Sequence, residues 1–113
     1  MDDESERLNC VFHALSDPTR RAIVSLLAVK PYSITELVPP FSISLAAISK
    51  HVKSLERAGI VYREVRGRNH ICNLNADALN EAYMWLAGYE RFWGQRLDAL
   101  EEVLRREGKK DGT

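Results

Sequence analysis

At 113 residues, with 45% hydrophobic and 28% charged residues and a formal net charge of zero, the chain has the size and composition of one soluble globular domain, 1–113. No apolar run approaches the roughly 18 residues of a membrane span, and the acidic start Met1-Asp2-Asp3-Glu4 is unlike a secretory leader. Cys10 and Cys72 are too few for a disulfide framework and read as small buried hydrophobes; a cytoplasmic location is the simplest expectation.

Residues 1–7 are polar and expected to be disordered. From Leu8 the spacing of Leu8, Val11, Phe12 and Leu15 predicts a first helix. Ser16-Asp17-Pro18 ends it and starts a second, with Asp17 as cap and Pro18 at a position that needs no amide. That second helix buries Ala22, Ile23, Leu26 and Leu27 and displays Arg20 and Arg21. The two arginines are expected in solvent or paired with Asp17 or Glu36 rather than on phosphate. Lys30-Pro31-Tyr32 closes the helix.

Ser33-Ile34-Thr35-Glu36-Leu37-Val38 reads as a short helix opened by a capping box, S-x-x-E. Pro39 and Pro40 stop it, and Phe41 and Ile43 anchor the link to Ser44. Ser44 then caps SLAAISKHVKSLERAG, which Gly59 ends. In this helix Ile48, Val52 and Leu55 share one face. At about 100° per residue, Ala46, Ser49, Lys50, Lys53 and Arg57 share the other. His51 lies beside the core face, where a packed, hydrogen-bonded histidine is expected. Ile60–Val65 and His70–Leu74 alternate like strands around the turn Arg66-Gly67-Arg68-Asn69, which predicts a β-hairpin.

Helix, turn and basic second helix followed by a basic hairpin make a winged helix-turn-helix, α+β and mostly helical. Between Ser42 and His70 six bases (Lys50, Lys53, Arg57, Arg63, Arg66, Arg68) face two acids (Glu56, Glu64), leaving +4 in this window and −4 elsewhere. A local patch of that kind can bind phosphate while the molecule as a whole stays neutral. Double-stranded DNA is therefore the expected partner. Ser44, Leu45, Ala46, Ala47, Ser49 and Lys50 are expected at base edges or adjacent sugar-phosphate, with apolar contact to thymine methyls. Lys53, Arg57, Arg66 and Arg68 are expected on phosphate.

Asn75 can cap a long last helix over 76–107. Leu79, Tyr83, Leu86, Trp93, Leu97, Leu100 and Leu104 follow spacings of 4, 3, 7, 4, 3 and 4, the seam of two packed helices. A helix from Ala76 to Arg106 would run about 46 Å, too long for so short a chain to cover. Val11, Phe12, Tyr83, Leu86, Tyr89, Trp93, Leu97 and Leu100 are therefore expected to form a homodimer interface. Gly88 and Gly94 each weaken that helix by roughly 1 kcal/mol, so a bend or a close helix contact is expected near them. Residues 108–113 are expected to be disordered.

ALSDPTRRAIVSLL, SITEL, SLAAISKHVKSLERAGIV and RGR resemble the ArsR-type winged-helix transcriptional repressors over about Phe12 to Leu79. WLAGYERFWGQRLDALEEVL is similar to the last helix of a subgroup without metal-sensing motifs. The resemblance implies a dimeric repressor that occupies a two-fold symmetric operator and excludes polymerase. Many members of that family sense metals through paired cysteines in the first motif helix, or through Asp and His on the last. Here Glu36-Leu37-Val38-Pro39 holds no thiol and the last helix no histidine, so no metal site and no cofactor is expected. No phosphate loop or nucleophile elbow points to an enzyme. Two alternatives stay open: a sensor of the same fold released from DNA by a small-molecule inducer or metal, and a winged-helix module that binds protein.

Overall fold

The computed structural model describes the backbone of residues 3–111 and the side chains of residues 4–89 and 94–107. The chain's internal contacts fall into two units, Met1–Ala82 and Tyr83–Thr113.

The first unit opens with α1 (Asp3–Ala14), which starts five residues before the expected Leu8. Acidic residues in a first turn are favoured by the partial positive charge there, so Glu4 and Glu6 support helix where their polarity alone suggested disorder. α2 (Pro18–Val29) follows, with Pro18 in its first turn and Asp17 as N-cap. Asp17 accepts the Arg20 amide at 3.0 Å. Chiefly through that hydrogen bond, with help from nearby His51 and Arg20, its carboxyl is held below the ordinary carboxylate pKa. The stability this adds is complete above the unfolded carboxyl pKa of about 4 and disappears as pH falls through the lower folded value. Asp17→Ala is accordingly expected to lower the melting midpoint at pH 7, with the gap to wild type narrowing at pH 3; circular dichroism melts at the two pH values check this.

Arg20 and Arg21 make no ion pair with Asp17 or Glu36 among the described residues. Arg20 donates to the carbonyls of Ala14 (2.6 Å) and His13 (3.2 Å), and Arg21 to that of Leu15 (2.7 Å). They satisfy the acceptors that the end of α1 leaves open.

The expected short helix over Ser33–Val38 is replaced by two smaller elements. Tyr32–Ser33 forms a strand, β1, and Thr35–Leu37 a single 3₁₀ turn. The capping box is nonetheless made in both directions: the Glu36 carboxylate accepts the Ser33 amide at 3.0 Å and the Ser33 hydroxyl accepts the Glu36 amide at 3.1 Å. Pro39 and Pro40 leave no room for a further turn.

α3 (Leu45–Arg57) is the helix over the basic stretch. β2 (Val61–Arg66) and β3 (Asn69–Leu74) form the hairpin, and the sheet is antiparallel with strand order β1-β3-β2. Tyr32 pairs with Cys72, Val61 with Leu74 and Arg66 with Asn69. The wing is thus three-stranded at its base where two strands were expected. Gly59 ends α3 with φ +77°, and Gly67 takes φ +64° at the first of two loop residues, the pattern of a type II′ hairpin turn.

Val11, Ala14, Ile23, Leu27, Leu37, Ile48, Val52, Leu55, Ile60, Val61, Cys72 and Ala82 form the core. Two expectations change here. Val11 is 2% exposed, so it belongs to this core and leaves the interface set. Cys10 is exposed, whereas Cys72 is buried and burial pushes its thiol pKa up.

α4 (Ala76–Ala87) carries the chain into the second unit, where α5 (Glu90–Asp111) follows. The continuous helix expected over 76–107 is therefore broken. Gly88 and Tyr89 form a turn closed by the Gly88 amide on Met84 and the Tyr89 amide on Leu86. A Cβ at Gly88 would lie 3.3 Å from the Trp85 carbonyl oxygen, tight enough to favour glycine. Gly94 sits in open space inside α5. Helix also reaches Asp111, past the residue 108 at which disorder was expected. In this unit Tyr83, Leu86, Tyr89, Leu97 and Leu100 are exposed; the side chain of Trp93 lies outside the described residues.

Candidate nucleic-acid interface

Ser44 sets the start of α3. Its hydroxyl oxygen accepts the Ala47 amide at 3.1 Å, which leaves the hydroxyl proton free to be donated outward. Beyond it the helix divides as its spacing requires. Ile48, Val52 and Leu55 are fully buried. Ser44, Leu45, Ala46, Lys50 and Lys53 are exposed, and Ala47 and Ser49 are half-buried at the edge. Leu45 is the conspicuous member, 47% exposed on a protein surface, with a shape and polarity suited to a thymine methyl.

Two ties hold this helix in place from behind. His51 Nδ1 lies 3.8 Å from the Asp17 carboxylate, which links α3 to the cap of α2. The Asn75 side chain donates to the Gly59 carbonyl at 2.9 Å, and its amide to that of Ile60 at 2.7 Å, joining the end of β3 to the start of β2.

The wing tip faces the same region. A cleft of about 200 Å³ is lined by Leu45 and Ser49 of α3, by Arg68, Asn69 and His70 of the hairpin, and by Ser33, Ile34 and Thr35. Leu45, Ser49 and Arg68 were expected at the interface from sequence; Thr35, Asn69 and His70 were not. Their polarity hints at a role, but only pairing across the sheet brings them beside α3.

The cations differ in how free they are. Among the described residues, Lys50, Lys53 and Arg68 have no hydrogen-bonded or ion-paired partner. Arg66 is paired with Glu64 at 3.1 Å, but both side chains are well exposed, and such pairs yield easily to a competing anion. Arg63 is committed to Glu56. Arg57 stands apart from the cleft. It lines a cavity of about 280 Å³ with Cys10, His13 and Ala14 of α1, and its guanidinium lies 3.4 Å from the Ser54 hydroxyl. Among the described residues no group of three or more His, Cys, Asp or Glu side chains is placed to hold a metal ion, and no helix is long and apolar enough to cross a membrane.

Comparison with known proteins fits this geometry. Residues 17–63, which run from the cap of α2 into β2, match the family described as bacterial regulatory protein, arsR family. The chain is 32% identical over 82 residues to the transcriptional repressor SdpR of Bacillus subtilis, spanning 73% of this chain and 91% of that protein. The crystal structure of an ArsR family transcriptional regulator, RHA00566, superposes with a TM-score of 0.74 at 34% identity, over 83% of this chain and 97% of that one. The solution structure of a homodimeric winged helix-turn-helix DNA-binding domain from Mycobacterium bovis shares the fold, with a TM-score of 0.64 at 19% identity over 80% of this chain and 88% of that one. These likenesses describe a regulator and not an enzyme. With its winged helix-turn-helix, the chain belongs to the ArsR family of bacterial transcriptional regulators.

Proposed function

We propose that this chain is a cytoplasmic, homodimeric repressor that occupies a two-fold symmetric operator and excludes polymerase. The observation that carries this reading is the cleft where Leu45 and Ser49 of α3 meet Arg68 of the wing. Ser44, Leu45, Ala46, Ala47, Ser49 and Lys50 read base edges and the adjoining sugar-phosphate; Lys53, Arg66 and Arg68 neutralise phosphate. Arg57, turned toward α1, is left out of that set. Repression is supported by the likeness to SdpR. Dimerisation is supported by the exposed apolar side chains Tyr83, Leu86, Tyr89, Leu97 and Leu100, and by the homodimer named for the Mycobacterium bovis domain. Phe12, on the surface of α1, is assigned to the same association.

Selection from random double-stranded DNA at roughly 150 mM salt, where purely electrostatic binding is weak, tests the reading. An inverted repeat with half-sites about 34–36 Å apart is expected. A folded dimer that enriches no sequence would instead favour a protein-binding role. On the recovered operator, Lys50→Ala is expected to weaken binding by about 1–3 kcal/mol per half-site. Arg66→Ala with Arg68→Ala removes two phosphate contacts per protomer, so the slope of log K against log salt should fall by roughly 4 per dimer. Both follow from titrations at several salt concentrations, and an unchanged slope would take the wing out of the interface.

A further inference from the structure

The basic stretch contains an acid that charge counting would not place there. Glu56 is the penultimate residue of α3, within the most cationic part of the chain. Its carboxylate is held by Arg63 of β2, whose Nε donates at 3.1 Å and whose terminal nitrogen makes a second, shorter contact. The remaining terminal nitrogen of Arg63 lies 3.5 Å from His70 Nδ1 on β3. Both members of the ion pair are largely withdrawn from solvent, with side chains 21% and 29% exposed. Among the described residues this is the ion pair that joins the reading helix to the hairpin.

The position of the pair along the wing gives it leverage. Val61 at the foot of the hairpin is buried and Cys72 opposite Arg63 is fully buried, but Val65, Arg66, Gly67 and Arg68 stand in solvent. Arg63 is thus the last point of β2 tied to α3 by an ion pair; nearer the tip the hairpin is also held through β3, whose His70 carbonyl accepts the Ile34 amide at 3.2 Å. From there to Arg66 is about 10 Å at 3.3 Å per residue. A pivot of about 10° at Arg63 moves the tip by about 2 Å. A guanidinium–phosphate hydrogen bond survives over only a few tenths of an ångström around 2.9 Å, so the Arg68 side chain must leave its preferred geometry to keep the contact after such a displacement.

We propose that Glu56 and Arg63 are positioning residues for DNA binding: their ion pair fixes the wing against the reading helix and thereby lets Arg68 reach phosphate while α3 sits on the bases. The inference rests on the operator reading above. It makes a prediction opposite to charge counting. Removing the acid with Glu56→Ala should tighten DNA binding if only charge matters. If the pair positions the wing, the same change should loosen it.

The test is a double-mutant cycle on the selected operator. In wild type, Arg68→Ala is expected to weaken binding about tenfold. In the Glu56→Ala background the same substitution should weaken it less than about threefold, because the misplaced wing has little left to lose. Lys53→Ala, on the reading helix itself, should have the same effect in both backgrounds, which a general loss of folded protein could not produce. Arg63→Gln breaks the pair from the other side and serves if Glu56→Ala does not fold; melting curves report that directly. An Arg68 effect that is unchanged in the folded variants, or tighter binding by Glu56→Ala, would overturn the inference alone. Wild-type protein that selects no DNA sequence would overturn the operator reading and this inference with it.

Discussion

Replacing Leu97 and Leu100 together by aspartate is expected to leave a folded monomer that has lost operator binding. The two side chains are 63% and 54% exposed in the single chain and lie three residues apart on α5, hence on one face. Fully burying a leucine contributes about 1.5–3 kcal/mol, and in a two-fold dimer every substitution counts twice. Because each is already partly covered in the single chain, four lost leucines amount to roughly 3.5 kcal/mol at the low end, before adding any penalty for a carboxylate forced into an apolar seam. At about 1.4 kcal/mol per factor of ten, the dimer dissociation constant should rise by at least about 300-fold. Sedimentation equilibrium measures this, and operator affinity should fall by at least about 100-fold because a monomer reads one half-site. A dimer that persists in this variant would take that face of α5 out of the interface.

Leu55→Ala is expected to produce the largest loss of stability on the reading helix, and Leu45→Ala almost none. Leu55 is fully buried against the core, so truncation removes its transfer free energy and leaves a cavity, together about 2–5 kcal/mol. For a small domain each kcal/mol moves the melting midpoint by about 4–8 °C, so a fall of roughly 8–40 °C should appear in thermal melts. At Leu45 the same chemical change falls ten residues earlier, in the first turn of the helix, where the side chain stands half in solvent. It should melt within about 0.5 kcal/mol of wild type and show its loss in DNA titrations. Equal destabilisation by both would mean that Leu45 is as much a core residue as Leu55.

The features legible from sequence are those whose cause lies within a few residues. Ser44 capping Ala47, the reciprocal Ser33–Glu36 box, Asp17 capping Arg20 and Gly59 ending α3 each span three residues or fewer, and each forms in the structure. The two faces of α3 and the hairpin turn are equally local. What escaped is long-range or competitive. Tyr32 pairs with Cys72 forty residues away, and no local periodicity encodes that partner. The placement of Arg20 and Arg21 was hidden for the same reason. Cations are most simply matched to anions, yet here neutral carbonyls at the end of α1 outcompete them because the corner between α1 and α2 brings those acceptors within reach.

The heptad pattern over 76–107 pointed to one helix because hydrophobic spacing is insensitive to a single turn. The break falls at Gly88 and Tyr89, where a residue of low helix propensity closes a turn. Val11 shows the limit of facing arguments: its helix has apolar residues at adjacent positions, and only packing assigns Val11 to the core and Phe12 to the surface. At the candidate interface, residue type and helical face identified the α3 members. The contributions of Thr35, Asn69 and His70 depend on the sheet that folds the wing back beside them.

The unequal burial of the two thiols equips this protein for site-specific chemistry. A maleimide or disulfide-exchange reagent attacks the thiolate of an accessible cysteine. Cys72 offers neither access nor an easily formed thiolate, while Cys10 stands open on α1. The natural chain therefore takes a fluorophore or spin label at one defined place under native conditions, without engineered substitutions. That place adjoins the end of α3, where Cys10 lines one cavity with Arg57, so the attached dye would sit beside the element proposed to enter the DNA groove and report directly on its docking.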